Sequence, residues 1–230
     1  MSTLPQHWRG IRVPFVAPWS GERHLPGRII RHIGSGGVGI AYADECSQTD
    51  RRPRCPLAAA LRGARGAGTP FLAGIHPLRQ RQAMSHLLCQ VCGKSTFDDD
   101  YARWGERHLV VARAVEEHPL REGERTNTPP VCLPCALESV EACPHLRGGK
   151  ATAALVREMR PWGAAGIVYH PETIEPIRDG MDATEDGLTL VGIEDPWIRL
   201  TLAEREVVTL HGCTPVRLAG LAKDMAGVTA

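Results

Sequence analysis

Two C-x-x-C pairs, Cys89/Cys92 and Cys132/Cys135, constrain this chain more than any other feature. In such a pair the backbone folds back sharply enough for both sulfurs to face one ion, and four thiolates satisfy the tetrahedral preference of zinc. Gly93 follows Cys92, as suits a knuckle that needs a positive φ. The second pair opens a segment of helical composition, 136–142, with Pro134 where a first-turn proline is tolerated. A helix N-terminus favours negative charge and so helps to keep thiolates ionised. The spacing predicts a structural Zn2+ held by Cys89, Cys92, Cys132 and Cys135, with no open coordination position for catalysis. The fold expected around it is α+β: a treble-clef or zinc-ribbon-like module within a mixed β-rich and helical chain. Thirty-nine residues separate Cys92 from Cys132, so the intervening loop carries structure of its own.

A chain of 230 residues with 43% hydrophobic content can bury a real core, and its formal net charge of +1 argues for no partner by bulk charge. No apolar run approaches the ~18 residues of a membrane span, and the opening MSTLPQHWRG lacks the layout of a secretory signal. The expectation is a cytoplasmic chain with reduced thiols and no membrane partner. Three consecutive parts are expected: a β-rich part with an arginine-rich loop over 1–85, the zinc module over 86–148, and an α/β part over 149–230 ending in a helical pair. These can also form one compact domain. Strands are expected at 11–16, at 28–33 and 40–43 around a glycine-rich turn, and at 166–169 and 188–193 with Asp186-Gly187 as a turn signal. Helices are expected at 78–88, at 202–211 behind a Thr201/Glu204 capping box, and from Thr214-Pro215 onward with Leu218, Leu221, Ala222 and Met225 on one stripe.

The stretches HPLRQR at 76–81, LCQVCG at 88–93, PPVCLPC at 129–135 and ACPHLR at 142–147 resemble a group of actinobacterial and actinophage zinc-binding proteins without an assigned activity. The resemblance implies an actinobacterial or mobile-element setting and no particular chemistry.

Seven arginines lie between Arg51 and Gln82 with no Asp or Glu among them. Arg51, Arg52, Arg62, Arg65, Arg79 and Arg81 are therefore candidate phosphate contacts, and the alternative is solvated loop surface. On these signals the chain reads as a zinc-stabilised, non-enzymatic module that binds nucleic acid or a nucleic-acid-processing partner. Three alternatives stand beside this reading. Glu117-His118 with Asn127 and the second cysteine pair is similar to HNH nucleases, with His118 as base, although no His or Asn closely follows Cys135. A protein-binding adaptor and an enzyme of specialised metabolism are the others. The run Gly34-Ser35-Gly36-Gly37-Val38-Gly39 matches G-x-G-x-x-G but precedes a strand-like Ile40-Ala41-Tyr42, so no nucleotide cofactor is expected. Cys46, Cys55, Cys143 and His145 are candidates for a second metal, and Cys213 reads as a packed thiol.

Overall fold

The computed structural model describes residues 6–22, 27–34, 36–46, 51, 56–60, 63–114, 119–177 and 187–226. Arg52, Cys55, Arg62, Glu117, His118 and the Asp186 turn position lie outside them. In chain order the strands are β1 (Gln6–Trp8), β2 (Ile11–Val13), β3 (Ile29–Gly34), β4 (Gly37–Tyr42), β5 (Leu57–Ala58), β6 (His108–Arg113), β7 (Arg125–Thr126), β8 (Ala151–Val156), β9 (Glu158–Val168), β10 (Thr189–Gly192), β11 (Thr201–His211) and β12 (Thr214–Val216). The helices are α1 (Pro77–Ser85), α2 (Asp99–Arg103), α3 (Leu133–Ala142) and α4 (Leu218–Ala226), with one 3-10 turn at Pro196–Leu200. The architecture is thus mixed α+β, rich in sheet.

The chain divides into two compact units, each assembled from non-consecutive segments. Their boundaries cut across the three consecutive parts that the sequence suggests. The first unit takes Met1–Ala17, Gln82–Arg160 and Thr209–Ala230. Its sheet has the order β12-β8-β6, with β6 and β8 antiparallel from His108↔Val156 to Arg113↔Ala151. Leu109, Val111, Ala153 and Leu155 turn one face of this sheet onto Leu133 and Ala136 of α3 and Leu221 of α4. Val110, Ala154 and Val156 on the opposite face are buried as well, so both strands are short continuous apolar runs covered on both sides. The second unit takes Pro18–Arg81 and Pro161–Val208. Its sheet has the order β10-β9-β11-β5, and its core gathers Ile40, Leu57, Val168, Val191 and Leu200.

Two helices expected from the sequence are corrected. Residues 201–211 form strand β11, not a helix. Thr201, Val207, Val208 and Thr209 are β-branched and favour a pleated backbone. Pairing with β9 on one side and β5 on the other satisfies that backbone on both edges. Thr201 makes no capping box. Its Oγ1 donates to the Trp197 carbonyl at 2.8 Å and closes the preceding 3-10 turn instead. Thr214 to Val216 form β12 against β8, so the last described helix starts three residues later than expected, and the last described elements are a strand and a helix, not a helical pair. Other expectations hold with shifted bounds. The helix expected at 78–88 is α1, and the two strands around the glycine-rich turn are β3 and β4. That hairpin is tighter than expected, since Gly34 and Gly37 already pair. The strand expected over 11–16 ends at Val13, because Pro14 has no amide to continue a ladder.

A buried polar cluster organises the second unit. The Glu22 carboxylate accepts from both terminal nitrogens of Arg79 at 2.5 and 2.7 Å, and from the amides of Trp19 at 2.8 Å and Ala64 at 3.1 Å. Burial opposes its charge, but the Arg79 hydrogen bonds and charge and the Trp19 amide hold the carboxyl below its ordinary value. His76 is fully buried with Nε2 3.8 Å from Glu22, and burial together with Arg79 lowers its imidazole to about 4.

Two outcomes follow from this cluster. Arg79→Ala removes the partner of a buried carboxylate, and should lower the unfolding free energy in urea by about 3–5 kcal/mol. An unfolded histidine titrates near 6.5, so as the pH falls the unfolded chain gains that proton before the native state does. The stability that His76 contributes is therefore complete above pH 6.5 and lost on the way down to about pH 4, by up to roughly 3 kcal/mol. Urea unfolding at pH 7 and pH 4.5 should show a smaller acid loss in His76→Gln than in the parent. An equal loss would contradict the assignment.

Candidate metal centre

The first cysteine pair sits on a tight turn. Leu88 and Ser95 form an antiparallel bridge, and between them the Cys89 amide donates to the Lys94 carbonyl at 2.7 Å. The Gly93 amide returns to the Cys89 carbonyl at 2.8 Å, and the Cys92 amide points at the Cys89 sulfur at 3.4 Å. Such amides stabilise a thiolate by hydrogen bonding to its charged form. Gly93 has φ +73°, the left-handed region that glycine enters without penalty. A Cβ there would stand 2.8 Å from the Phe15 ring, so the position excludes a side chain on two counts.

The second pair is placed by helix α3. Cys132 is its N-cap with an extended backbone, φ −75° and ψ 152°, and its side chain caps nothing. Leu133 and Pro134 then begin the helix and bring Cys135 round on its first turn. The Cys132 sulfur is thereby left to face the knuckle. It lies 3.7 Å from Cys89 and 3.9 Å from Cys92.

Backbone contacts tie the two pairs together. The Gln90 amide donates to the Pro130 carbonyl at 2.9 Å, and the Val131 amide to the Leu109 carbonyl of β6 at 2.8 Å. Phe15 and Val16 donate to the Val91 and Gln90 carbonyls at 2.9 and 3.2 Å. The N-terminal segment thus braces the back of the knuckle. On its other flank the Thr96 hydroxyl donates to the Leu87 carbonyl at 2.7 Å and meets His108 Nδ1 at 2.8 Å. One hydroxyl hydrogen serves one acceptor, so His108 is the donor to Thr96 through Nδ1–H.

All four sulfurs lie within 4.8 Å of one another. A zinc-type ion with metal–sulfur bonds of about 2.3 Å at a regular tetrahedron requires sulfur separations of about 3.8 Å. The separations of 3.7 and 3.9 Å meet that requirement and are far too long for disulfides. Cys89 and Cys135 are buried, and Cys92 and Cys132 half-buried. The group behaves as one coupled acid. Cys92 is driven down by its contacts with Cys132, Cys135 and Cys89, and Cys89 falls to about 7 through Cys132 and Cys135. Cys135 is driven up by Cys132, Cys89 and Cys92 in turn. Four thiols crowded around one centre cannot all ionise unless a cation sits among them, and the donor set therefore fits a metal ion.

Sequence reasoning missed Arg12. Its Nη1 donates to Glu138 of α3 at 2.9 Å. Burial opposes its charge, but the Glu138 hydrogen bond and the charges of Cys135, Glu138 and Cys92 outweigh that and raise the guanidinium above its ordinary value. Its position beside the sulfurs would offset the negative charge left by four thiolates if they held a divalent ion. An isolated arginine on a short strand carries no sequence signal for that role.

Among the described residues, these four cysteines are the one group whose ligand atoms converge on a metal position. Cys46 is exposed, Cys143 is half-buried, His145 is exposed, and none of them joins such a group. Cys213 is half-buried with its sulfur 3.5 Å from the Leu120 carbonyl. Asp98 caps α2 by accepting from the Tyr101 amide at 3.0 Å.

Of the candidate phosphate contacts that are described, two are held by carboxylates. Arg79 is 6% exposed and bound to Glu22, so it offers no guanidinium to a phosphate. Arg51 is held by Glu45 through two hydrogen bonds of 2.9 Å and donates to the Ile40 carbonyl at 2.7 Å. Arg65 is half-buried beside the same cluster, where burial and Arg79 lower it and Glu22 raises it. Arg81 is half-buried, and Arg52 and Arg62 lie outside the described residues.

Gly93→Ala should strain the knuckle and displace Phe15. Loss of the left-handed glycine alone is worth about 1–2 kcal/mol, and the melting temperature of the metal-loaded protein should drop while its metal dissociates faster. No family model matches the chain, and no curated protein or solved structure does either.

Proposed function

We propose that the chain is a zinc-stabilised, non-enzymatic module that binds nucleic acid. The observation that carries the structural half is the closed set of four cysteine sulfurs, with pairs 3.7 and 3.9 Å apart, packed against the apolar core of the first unit. Four soft thiolates at tetrahedral spacing favour Zn2+ over hard cations, and they leave no position for a water or substrate. The ion then serves folding. Its binding free energy enters the stability of the unit directly. A treble-clef-like arrangement is the best description, since a knuckle supplies one pair and a helix N-terminus the other. One departure is clear: β6, which lies between the two pairs, finds its partner in β8 beyond the helix and not in a local hairpin.

The binding half rests on the run from Arg51 to Gln82, seven arginines without an acidic residue. Two of the seven are neutralised from elsewhere in the chain, Arg51 by Glu45 and Arg79 by Glu22. The remaining candidates for phosphate contact are Arg52, Arg62, Arg65 and Arg81, of which Arg65 lies beside the buried Glu22–Arg79 cluster. Each phosphate neutralised releases counterions, so affinity must fall with salt in proportion to the number of contacts.

Two measurements test the two halves separately. Elemental analysis of the purified protein should give one zinc per chain, and Cys132→Ser should abolish it. Fluorescence anisotropy with labelled single- and double-stranded oligonucleotides should show affinity that falls steeply between 50 and 200 mM salt. The triple variant Arg52→Glu, Arg62→Glu, Arg81→Glu should lose about three units of the log–log salt slope. A zinc-loaded protein that binds neither oligonucleotide at low salt would reject the nucleic-acid reading and leave the zinc module standing.

A further inference from the structure

The glycine-rich hairpin of β3 and β4 forms one wall of a cavity of about 580 Å³ in the second unit. That volume lies within the range of sites that take small organic ligands. The 3-10 turn and the residues just before it form the facing wall. The glycines of the hairpin have a local reason to lack side chains. A Cβ on Gly36 would stand 2.8 Å from the Arg199 guanidinium carbon, and one on Gly39 would stand 2.9 Å from the Arg199 carbonyl oxygen. Arg199 therefore lies flat against the hairpin backbone, in the cavity lining.

The charges around the cavity sort into spent and unspent groups. Arg51 lines it but is satisfied by Glu45 and the Ile40 carbonyl. Arg199 and Glu194 make no ion pair or side-chain hydrogen bond with any described residue. Asp195 uses Oδ1 to accept from the Trp197 amide at 2.9 Å, which starts the 3-10 turn. Its second oxygen has no such duty. Besides the His32 imidazole, the lining thus presents one unengaged guanidinium, two carboxylates, and apolar surface from Ile40, Ile193 and Ile198.

A polyanion is a poor match for this pattern, because Glu194 and Asp195 would repel it. A ligand that carries both signs on an apolar body matches every wall. We propose that this cavity binds a short zwitterionic peptide, with its carboxylate on Arg199, its ammonium on Glu194 and Asp195, and apolar side chains over the isoleucines. A guanidinium grips a carboxylate through two parallel N–H donors, which gives the terminal carboxylate a fixed orientation.

Isothermal titration calorimetry of the zinc-loaded full chain with the dipeptide Leu-Leu tests this. The expected result is saturable binding with one site per chain. Blocking either end, as N-acetyl-Leu-Leu or Leu-Leu-amide, should weaken it at least tenfold. In Arg199→Gln the free dipeptide and its amide should bind equally weakly, and in Glu194→Gln/Asp195→Asn the free and acetylated forms should converge. Gly36→Ala keeps the charge but pushes the guanidinium off the hairpin, and should also weaken Leu-Leu by about tenfold in a protein of unchanged circular dichroism. The proposal is overturned if Leu-Leu shows no saturable binding, if blocked dipeptides bind as tightly as the free one, or if inorganic phosphate binds in its place in an Arg199-dependent manner.

Discussion

The first unit depends on the convergence of four sulfurs from two distant chain segments onto one point. The knuckle at 89–92 is a short turn whose Cys89 and Val91 are buried in the core shared with other segments, and α3 is ten residues long, short for an isolated helix. Their sulfurs converge on one position that could hold an ion, beside Val91, Leu133 and Ala136 packed against the β6–β8 sheet. The apolar core and the sulfur cluster are continuous, because Cys89 and Cys135 belong to both. An ion held there would do for this unit what additional apolar area does in a larger one.

Electrostatics in the second unit follow a different plan. There a carboxylate and a guanidinium are buried together, and the carboxylate is further satisfied by two backbone amides. Such a pair adds little net stability compared with an apolar replacement, but neither member can be removed alone without leaving an unpaired charge. Gln80, one residue beyond Arg79, exchanges two hydrogen bonds of 2.9 Å with the Glu206 backbone and ties α1 to strand β11. The same helix therefore carries a buried ion pair and a sheet anchor, which gives the HPLRQR stretch a structural meaning as well as an electrostatic one.

What the sequence made legible was whatever depends on short spacing. The two C-x-x-C turns, the glycine after Cys92, the proline at the start of α3 and the β3–β4 hairpin are all local, and the structure places each where its chemistry points. Partners far apart in sequence were hidden. Glu22 and Arg79 are 57 residues apart, and Arg12 and Glu138 are 126 apart. The arginine run looked acid-free only because its acids, Glu22 and Glu45, lie upstream of it. Strand β11 was misread for a related reason. Ala203, Val207 and Leu210 fit a helical stripe, while the pairing with β9 and β5 that decides the matter is non-local. Arg199 and its cavity were out of reach for the same reason, since the hairpin and the 3-10 turn are joined only in the fold.

The central claim is that Cys89, Cys92, Cys132 and Cys135 together hold a single ion. X-ray absorption at the zinc edge on the metal-loaded protein tests it most directly. Four sulfur atoms at about 2.3 Å with no nitrogen or oxygen scatterer are expected around the ion. A mixed shell containing light atoms, or two metals per chain at short separation, would contradict it.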